Sequence, residues 1–325
     1  MMKAVVVRKF GPPDVLIAEE LPEPRPGDGQ VVVEVAAVGV NFIETTVRAG
    51  AFARAANQLP YIPGNEVGGV ILEVGPGVNP ALVGRRVVTG TGGRGGYAER
   101  AVAATDGLVE IPDGLDTETA VALFVHGRTA LGLLRETRPE KGERVLVEAA
   151  GGGVGSLLVQ LAKQAGATVV AAAGGERKLR LARSLGADVA VDYGEPGWAE
   201  VVRREIGEDG LDVVFDSVGG DVGREAFDLL AGGGRFAVFG FASGATTEAT
   251  FAEILGKGVT VMGYGGGRPW PYPEYPHELE AEALREAAAG WLKPTIGQRF
   301  PLERAAEAHA AVESRATVGK TLLIP

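Results

Sequence analysis

The stretch RVLVEAAGGGVGSLLVQLAK, residues 144–163, constrains this chain more than any other. An apolar run at 145–149 leads into Gly151, Gly152 and Gly153; after Val154 and Gly155, Leu157, Leu158, Leu161 and Ala162 recur at helical spacing. A buried strand, a glycine turn and a helix follow from that order. Such a turn lets backbone N–H groups and the positive helix end approach a phosphate. Tight strand-to-helix turns also occur with no ligand. A second strand candidate at 168–173, at the spacing of a dinucleotide fold, favours the phosphate reading.

The surrounding pattern alternates. Strand candidates lie at 144–149, 168–173, 188–192, 211–216, 234–239 and 258–263, with helix candidates at 153–165, 176–185, 197–206 and 221–230. That is the α/β signature of a doubly wound parallel sheet, a Rossmann arrangement. Ahead of it, valine-rich runs at 4–7, 31–38, 68–74, 86–89 and 98–102 are separated by proline and glycine segments, and a helical stretch from 116 leads to His126. Short strands at that spacing predict a β-barrel-type domain. Residues 265–276, GGGRPWPYPEYP, read as irregular, before helices at 277–290 and 301–313 and a last strand at 320–324. The expected domains are 1–124 with 265–325, and 125–264.

A length of 325 residues suits about two domains. Acidic residues number 42 and basic ones 32, a net charge of −10 with no long run of either sign, which argues against nucleic acid or an anionic membrane as partner. Cysteine is absent, which removes disulfides, a thiol nucleophile and thiolate-bound metal and fits a reducing compartment. The opening MMKAVVVRKFG reads as a first strand and not a secretory signal, so a cytoplasmic protein is expected. No stretch approaches the roughly 18 apolar residues of a membrane span.

Cofactor choice is read at the end of the second strand. NAD-selective folds place an acid there for the ribose 2′-hydroxyl. Here Ala171, Ala172 and Ala173 are followed by Gly174, Gly175, Glu176, Arg177 and Lys178. No acid stands where it would repel a 2′-phosphate and two cations lie within one turn, so NADPH is expected over NADH. The alternative is an ordinary exposed helix start in which Glu176 pairs with Arg177 and Lys178. Tyr193, just past the third strand, either covers the adenine–ribose side or is a half-buried rim aromatic.

Several longer stretches carry a family resemblance: GVNFIETTVRAG (39–50), PGNEVGGVILEVG (63–75), GGYAERAVA (95–103), HGRTALGLL (126–134), EAAGGGVGSLLVQLAKQAGA (148–167), FDSVGG (215–220) and ESRATVGKTLLIP (313–325). Over essentially its whole length the chain resembles zeta-crystallin-type quinone oxidoreductases of the medium-chain dehydrogenase/reductase superfamily. The resemblance implies a GroES-like catalytic domain and a Rossmann domain with NADPH in the cleft between. It places Gly152, Gly153 and Val154 at the pyrophosphate, and Gly174, Gly175, Arg177 and Lys178 at the 2′-phosphate. Tyr193 and Arg315 match further NADP contacts. Phe42, Thr129, Val218, Phe239, Gly240 and Phe241 match positions around nicotinamide and its ribose, and Lys320 is placed near the cofactor. It also implies a homodimer, because 258–263 resembles the edge strand through which relatives pair.

Zinc-dependent relatives carry a Cys and a His where this chain has Asn41 and Asn65, and a four-cysteine lobe where it has only TGTGGRGGY. His126, His277 and His309 lie outside these motifs, and Glu66 alone makes no zinc site. No metal is expected. Reducing a simple ketone creates a basic alkoxide that zinc would stabilise, whereas a quinone or conjugated enone spreads its charge so that modest donors suffice. NADPH-dependent quinone reduction is therefore expected. Alkenal or enone reduction is the alternative, and an NADPH-binding, crystallin-like protein with little turnover a reading of another class. Asn41 is read as a donor near the reacting groups, or else as a loop-fixing Asn. Thr46 stands where many relatives have a tyrosine, which removes an aromatic wall. The 270–275 loop, with Trp270, either supplies replacement aromatic surface or is a surface excursion.

Overall fold

The computed structural model describes residues 1–51, 59–264 and 275–325. In chain order the elements are β1 (Met2–Val7), β2 (Leu16–Leu21), β3 (Gln30–Val40), α1 (Phe42–Ala49), β4 (Glu66–Val74), β5 (Arg86–Gly90), β6 (Arg100–Ala104), β7 (Leu108–Glu110) and α2 (Thr117–Thr137). There follow β8 (Arg144–Glu148), α3 (Gly153–Gln164), β9 (Thr168–Ala173), α4 (Glu176–Ser184), β10 (Val189–Asp192), α5 (Trp198–Ile206), β11 (Leu211–Asp216) and α6 (Gly220–Asp228). The chain ends with β12 (Leu230–Val238), α7 (Phe251–Lys257), β13 (Thr260–Gly263), α8 (Tyr275–Ala288), β14 (Ile296–Pro301), α9 (Ala305–Glu313) and β15 (Lys320–Ile324). These form two compact units, Met1–Arg128 with His277–Pro325, and Thr129–Pro276. The seams fall inside α2 and near the start of α8, compared with 124 and 264 in the sequence reading.

The first unit is built on one sheet of order β14-β15-β3-β4-β5-β7, with β6 also pairing β3, and a separate β1–β2 pair. β3 is its spine, pairing antiparallel with β4, β6 and β15. Val5, Val7, Val35, Val38, Tyr97, Leu302, Ala308 and Leu323 pack one core through which α9 runs. β2 and β14 lie outside the strand runs expected from sequence, since neither LIAEEL nor IGQRFP carries a buried valine run. Residues 301–313 begin as the end of β14 and a single 3-10 turn before α9 starts.

The second unit is a parallel sheet of order β10-β9-β8-β11-β12-β13. β8 and β9 are near-continuous apolar runs because helices cover both faces. The expected strands and helices appear within a few residues, except that β12 starts at Leu230, where a helix end was read. α7 was not expected; Thr250 and Glu253 cap one another's N–H groups at its start, and Gly258 closes it in the left-handed region. Its apolar Phe251 and Leu255 are 91% and 83% exposed, so no buried stripe announces it.

Candidate active site

Within the second unit, Ala149 takes a positive φ of 45° at the end of β8, and its carbonyl accepts from the Gly152 N–H at 2.7 Å. This folds the turn tightly into α3. A Cβ on Gly155 would overlap that carbonyl, so the helix packs as close as it does only with glycine there. The first-turn N–H groups of Gly153, Val154 and Gly155 have no intrahelical acceptor. Gly152, Gly153 and Val154 are half-buried and open to a ligand. The helix dipole adds positive potential.

At the end of β9, Ala171, Ala172 and Ala173 are fully buried, and Gly175 turns the chain at φ 86°. Asp192 accepts from Gly175 N–H and Gly194 N–H, both at 2.8 Å. That carboxylate is spent on backbone. The Tyr193 ring lies against Gly174, where a Cβ would stand 3.5 Å from its Cε2. Glu176 turns to Arg180 and Arg183 on its own helix, at 3.7 and 3.0 Å. Arg177 is exposed and Lys178 half-buried.

The turns after β11 and β12 are laced together. Phe239 N–H donates to Asp216 O at 2.8 Å, Ala242 N–H to Ser217 O at 2.9 Å and Ser243 N–H to Val218 O at 2.8 Å. Val218 is buried, while Phe241 is 45% exposed. Thr129 sits half-buried on α2.

Within the first unit the sheet gathers a buried polar cluster. Asn41 follows β3 and caps α1, Glu66 begins β4 and Lys320 begins β15; Lys320 is 1% and Glu66 0% exposed. Lys320 Nζ donates to Asn41 Oδ1 at 2.9 Å and forms an ion pair with Glu66, and Asn41 Nδ2 donates to Glu66 Oε1 at 3.1 Å. The amide of Asn41 is thus locked, oxygen toward the ammonium and nitrogen toward the carboxylate. Gly39 makes room, since a Cβ there would overlap the Glu66 carboxylate. Glu44 accepts from Asn41 N–H, Asn65 N–H and the Tyr97 hydroxyl, each at 2.9 Å. Burial raises the Glu44 carboxyl, and the Asn41 N–H, Lys320 and Tyr97 pull it back. Burial brings Lys320 down to about 7 against the opposing pull of Glu44.

Tyr97 O also meets His309 Nε2 at 2.8 Å; with the phenol donating to Glu44, the histidine donates to the phenol. Burial lowers His309 to about 3 and His126 to about 4, so both are neutral near pH 7. The Arg315 guanidinium lies 5.7 Å from the centre of the Phe42 ring. The Thr46 hydroxyl donates to Ile43 O at 2.7 Å, so its proton is used inside α1. Trp270 lies outside the described residues.

The structure thus joins Asn41 to Lys320, Phe42 to Arg315, Gly174 to Tyr193, and the 216–218 turn to the 239–243 turn, with Val218 bonded to Ser243. Glu44, Tyr97 and Asp192 were missed; only Asp192, an acid ending a strand, left a signal that could have been read. Among the described residues no group of three or more His, Cys, Asp or Glu side chains is placed to hold a metal. The donors at the family's zinc position are amides and one carboxylate that already holds an ammonium, a set that does not fit zinc.

Two family profiles match the chain, "Zinc-binding dehydrogenase" over residues 153–287 and "Alcohol dehydrogenase GroES-like domain" over residues 27–113. The chain belongs to the zeta-crystallin-like quinone oxidoreductases of the medium-chain dehydrogenase/reductase superfamily. It is 36% identical to a 2-haloacrylate reductase of Burkholderia over 335 aligned positions, covering 100% of this chain and 99% of the relative. It is 33% identical to the human quinone oxidoreductase, covering 100% and 98%. The Escherichia coli quinone oxidoreductase solved with NADPH superposes with a TM-score of 0.90 at 33% identity, covering 99% of this chain and all of that one.

Proposed function

We propose that this protein reduces quinones with NADPH by hydride transfer, without a metal. The observation that carries the cofactor is the acid-free end of β9 followed by Arg177 and Lys178, in a chain that aligns over its full length with quinone oxidoreductases. Bound NADPH supplies the hydride. The backbone at Gly152, Gly153 and Val154 holds the pyrophosphate, and Gly174, Gly175, Arg177 and Lys178 hold the 2′-phosphate, with Tyr193 beside them. In the second unit Thr129, Val218, Phe239, Gly240 and Phe241 serve the nicotinamide and its ribose; in the first, Phe42 and Arg315 are assigned to the cofactor by the family resemblance alone. Lys320, with its ammonium on Asn41 and Glu66, acts on Asn41 rather than on the cofactor. Locked this way, Asn41 offers its remaining Nδ2–H to the acceptor oxygen, and Thr46 borders the acceptor.

Steady-state oxidation of NADPH with 1,4-naphthoquinone, 9,10-phenanthrenequinone and a set of alkenals tests this. Turnover with the quinones is expected, and Asn41→Ala should lower kcat by about 10²-fold, the scale of losing one oxyanion donor. Turnover with alkenals alone would replace the quinone reading by the enone one. The likeness to a 2-haloacrylate reductase favours that second reading, because a conjugated C=C acceptor needs the same hydride and the same modest donor.

We also propose a cytoplasmic homodimer paired through β13. That strand ends the sheet, and Phe251, Leu255 and Val261 stand exposed on α7 and β13 at 91%, 83% and 41%. Among the described residues no strand pairs with the outer edge of β13, and an open edge with apolar neighbours invites pairing. Sedimentation velocity should show a dimer that Phe251→Glu with Leu255→Glu converts to monomer; a monomeric wild type rules the pairing out.

A further inference from the structure

β8 and β11 each end in an acid, Glu148 and Asp216, and both side chains are fully buried. The strands run in parallel register with Phe215 beside Val147, so the next residues along, Asp216 and Glu148, stand side by side. Here the strand order reverses, with β9 and β10 to one side and β12 and β13 to the other. Ligands of doubly wound sheets bind outside the strand ends at such a point.

The partners of this acid pair, among the described residues, are N–H groups of the turn after β11 and one hydroxyl. Glu148 Oε2 accepts from Ser217 N–H at 3.2 Å and Val218 N–H at 3.0 Å. Asp216 Oδ1 accepts from Val218 N–H at 3.1 Å and Gly219 N–H at 2.8 Å, and its Oδ2 from the Thr247 hydroxyl at 2.5 Å. Glu148 Oε1 is buried with no hydrogen-bond partner among the described residues. Two adjacent carboxylates out of water do not both ionise when only dipoles face them. Asp216 has the donors that an anion needs. Glu148 has an orphan oxygen that a proton would turn into a donor.

We propose that Glu148 and Asp216 hold one proton between them, with Glu148 neutral, and that this pair is the positioning device for the 217–219 turn. The backbone bonds from Phe239, Ala242 and Ser243 to Asp216, Ser217 and Val218 extend that hold to the next loop. One proton therefore stands behind the placement of both turns. Asp216 is the titratable group facing Glu148. Burial first, and then the Asp216 charge, push the Glu148 carboxyl well above the usual range. The folded protein then binds more protons than the unfolded one above the ordinary glutamate range, so the pair's contribution declines as pH rises toward the raised value.

Two ligand-free measurements test the pair. Infrared difference spectra of wild type against Glu148→Gln should show a neutral-carboxyl C=O stretch at neutral pH that disappears on alkaline titration and is missing from the variant. An unchanged carboxyl spectrum in the variant overturns the shared proton. Hydrogen exchange at residues 217–219, corrected for its intrinsic pH dependence, should speed up by about tenfold in alkali for wild type and stay flat in Glu148→Gln, whose amide is always uncharged. Equal behaviour of the two proteins overturns the positioning role. The consequence for the cofactor rests on the function proposed above: the Kd for NADPH should rise in alkali for wild type only. Failure to bind NADPH at all would count against that function, and the ligand-free measurements would still decide the pair.

Discussion

Replacing Lys320 with methionine should cost about 3–5 kcal/mol of folding stability, read by urea unfolding at pH 6, where Lys320 carries its charge. The ammonium is buried between Asn41 and Glu66, with Glu44 close enough to oppose its loss of charge. Methionine keeps most of the volume and leaves the buried Glu66 carboxylate without its cation. Adding Glu66→Gln should recover most of the loss, because removing both charges together removes the unpaired one. A single variant within about 1 kcal/mol of wild type would show that the pair is not held as described. The pH dependence gives a second reading. A lysine lowered to about 7 from 10.5 binds fewer protons folded than unfolded between those values. Wild-type stability should therefore gain with pH across that window, and the Lys320→Met protein should lack the gain.

The joint change Arg177→Ala with Lys178→Ala should raise the KM for NADPH by about 10²- to 10³-fold while leaving NADH little changed. Each charge-assisted hydrogen bond to the 2′-phosphate is worth about 1.5–3 kcal/mol, and exposure of Arg177 puts its share at the low end. Equal loss with both cofactors would assign them to the pyrophosphate or to the fold. No loss with either would remove them from the site.

What could be read from the chain alone is local. β8, its glycine turn and α3 are contiguous, and the switch from a buried run to helical spacing is written in twenty residues. The acid missing after Ala173 is equally a matter of neighbours in sequence. β2, β14 and α7 were less legible because each is held by contacts rather than by its own periodicity: β14 by pairing with β15, α7 by its capping box.

The sequence by itself determined a strand, glycine turn and helix in succession, a second strand end free of acid, and the class of fold around them. Only the tertiary structure decided what the buried polar groups do. Lys320 lies 279 residues from Asn41 and 254 from Glu66, yet β15 and β4 both pair with β3, and that register sets the three side chains on one another. Glu148 and the amide of Ser217 are 69 residues apart and meet because β8 and β11 are neighbours where the sheet reverses. No spacing in a chain encodes such a meeting. It follows from strand order, and burial then makes each charge depend on the partner that the fold has placed beside it.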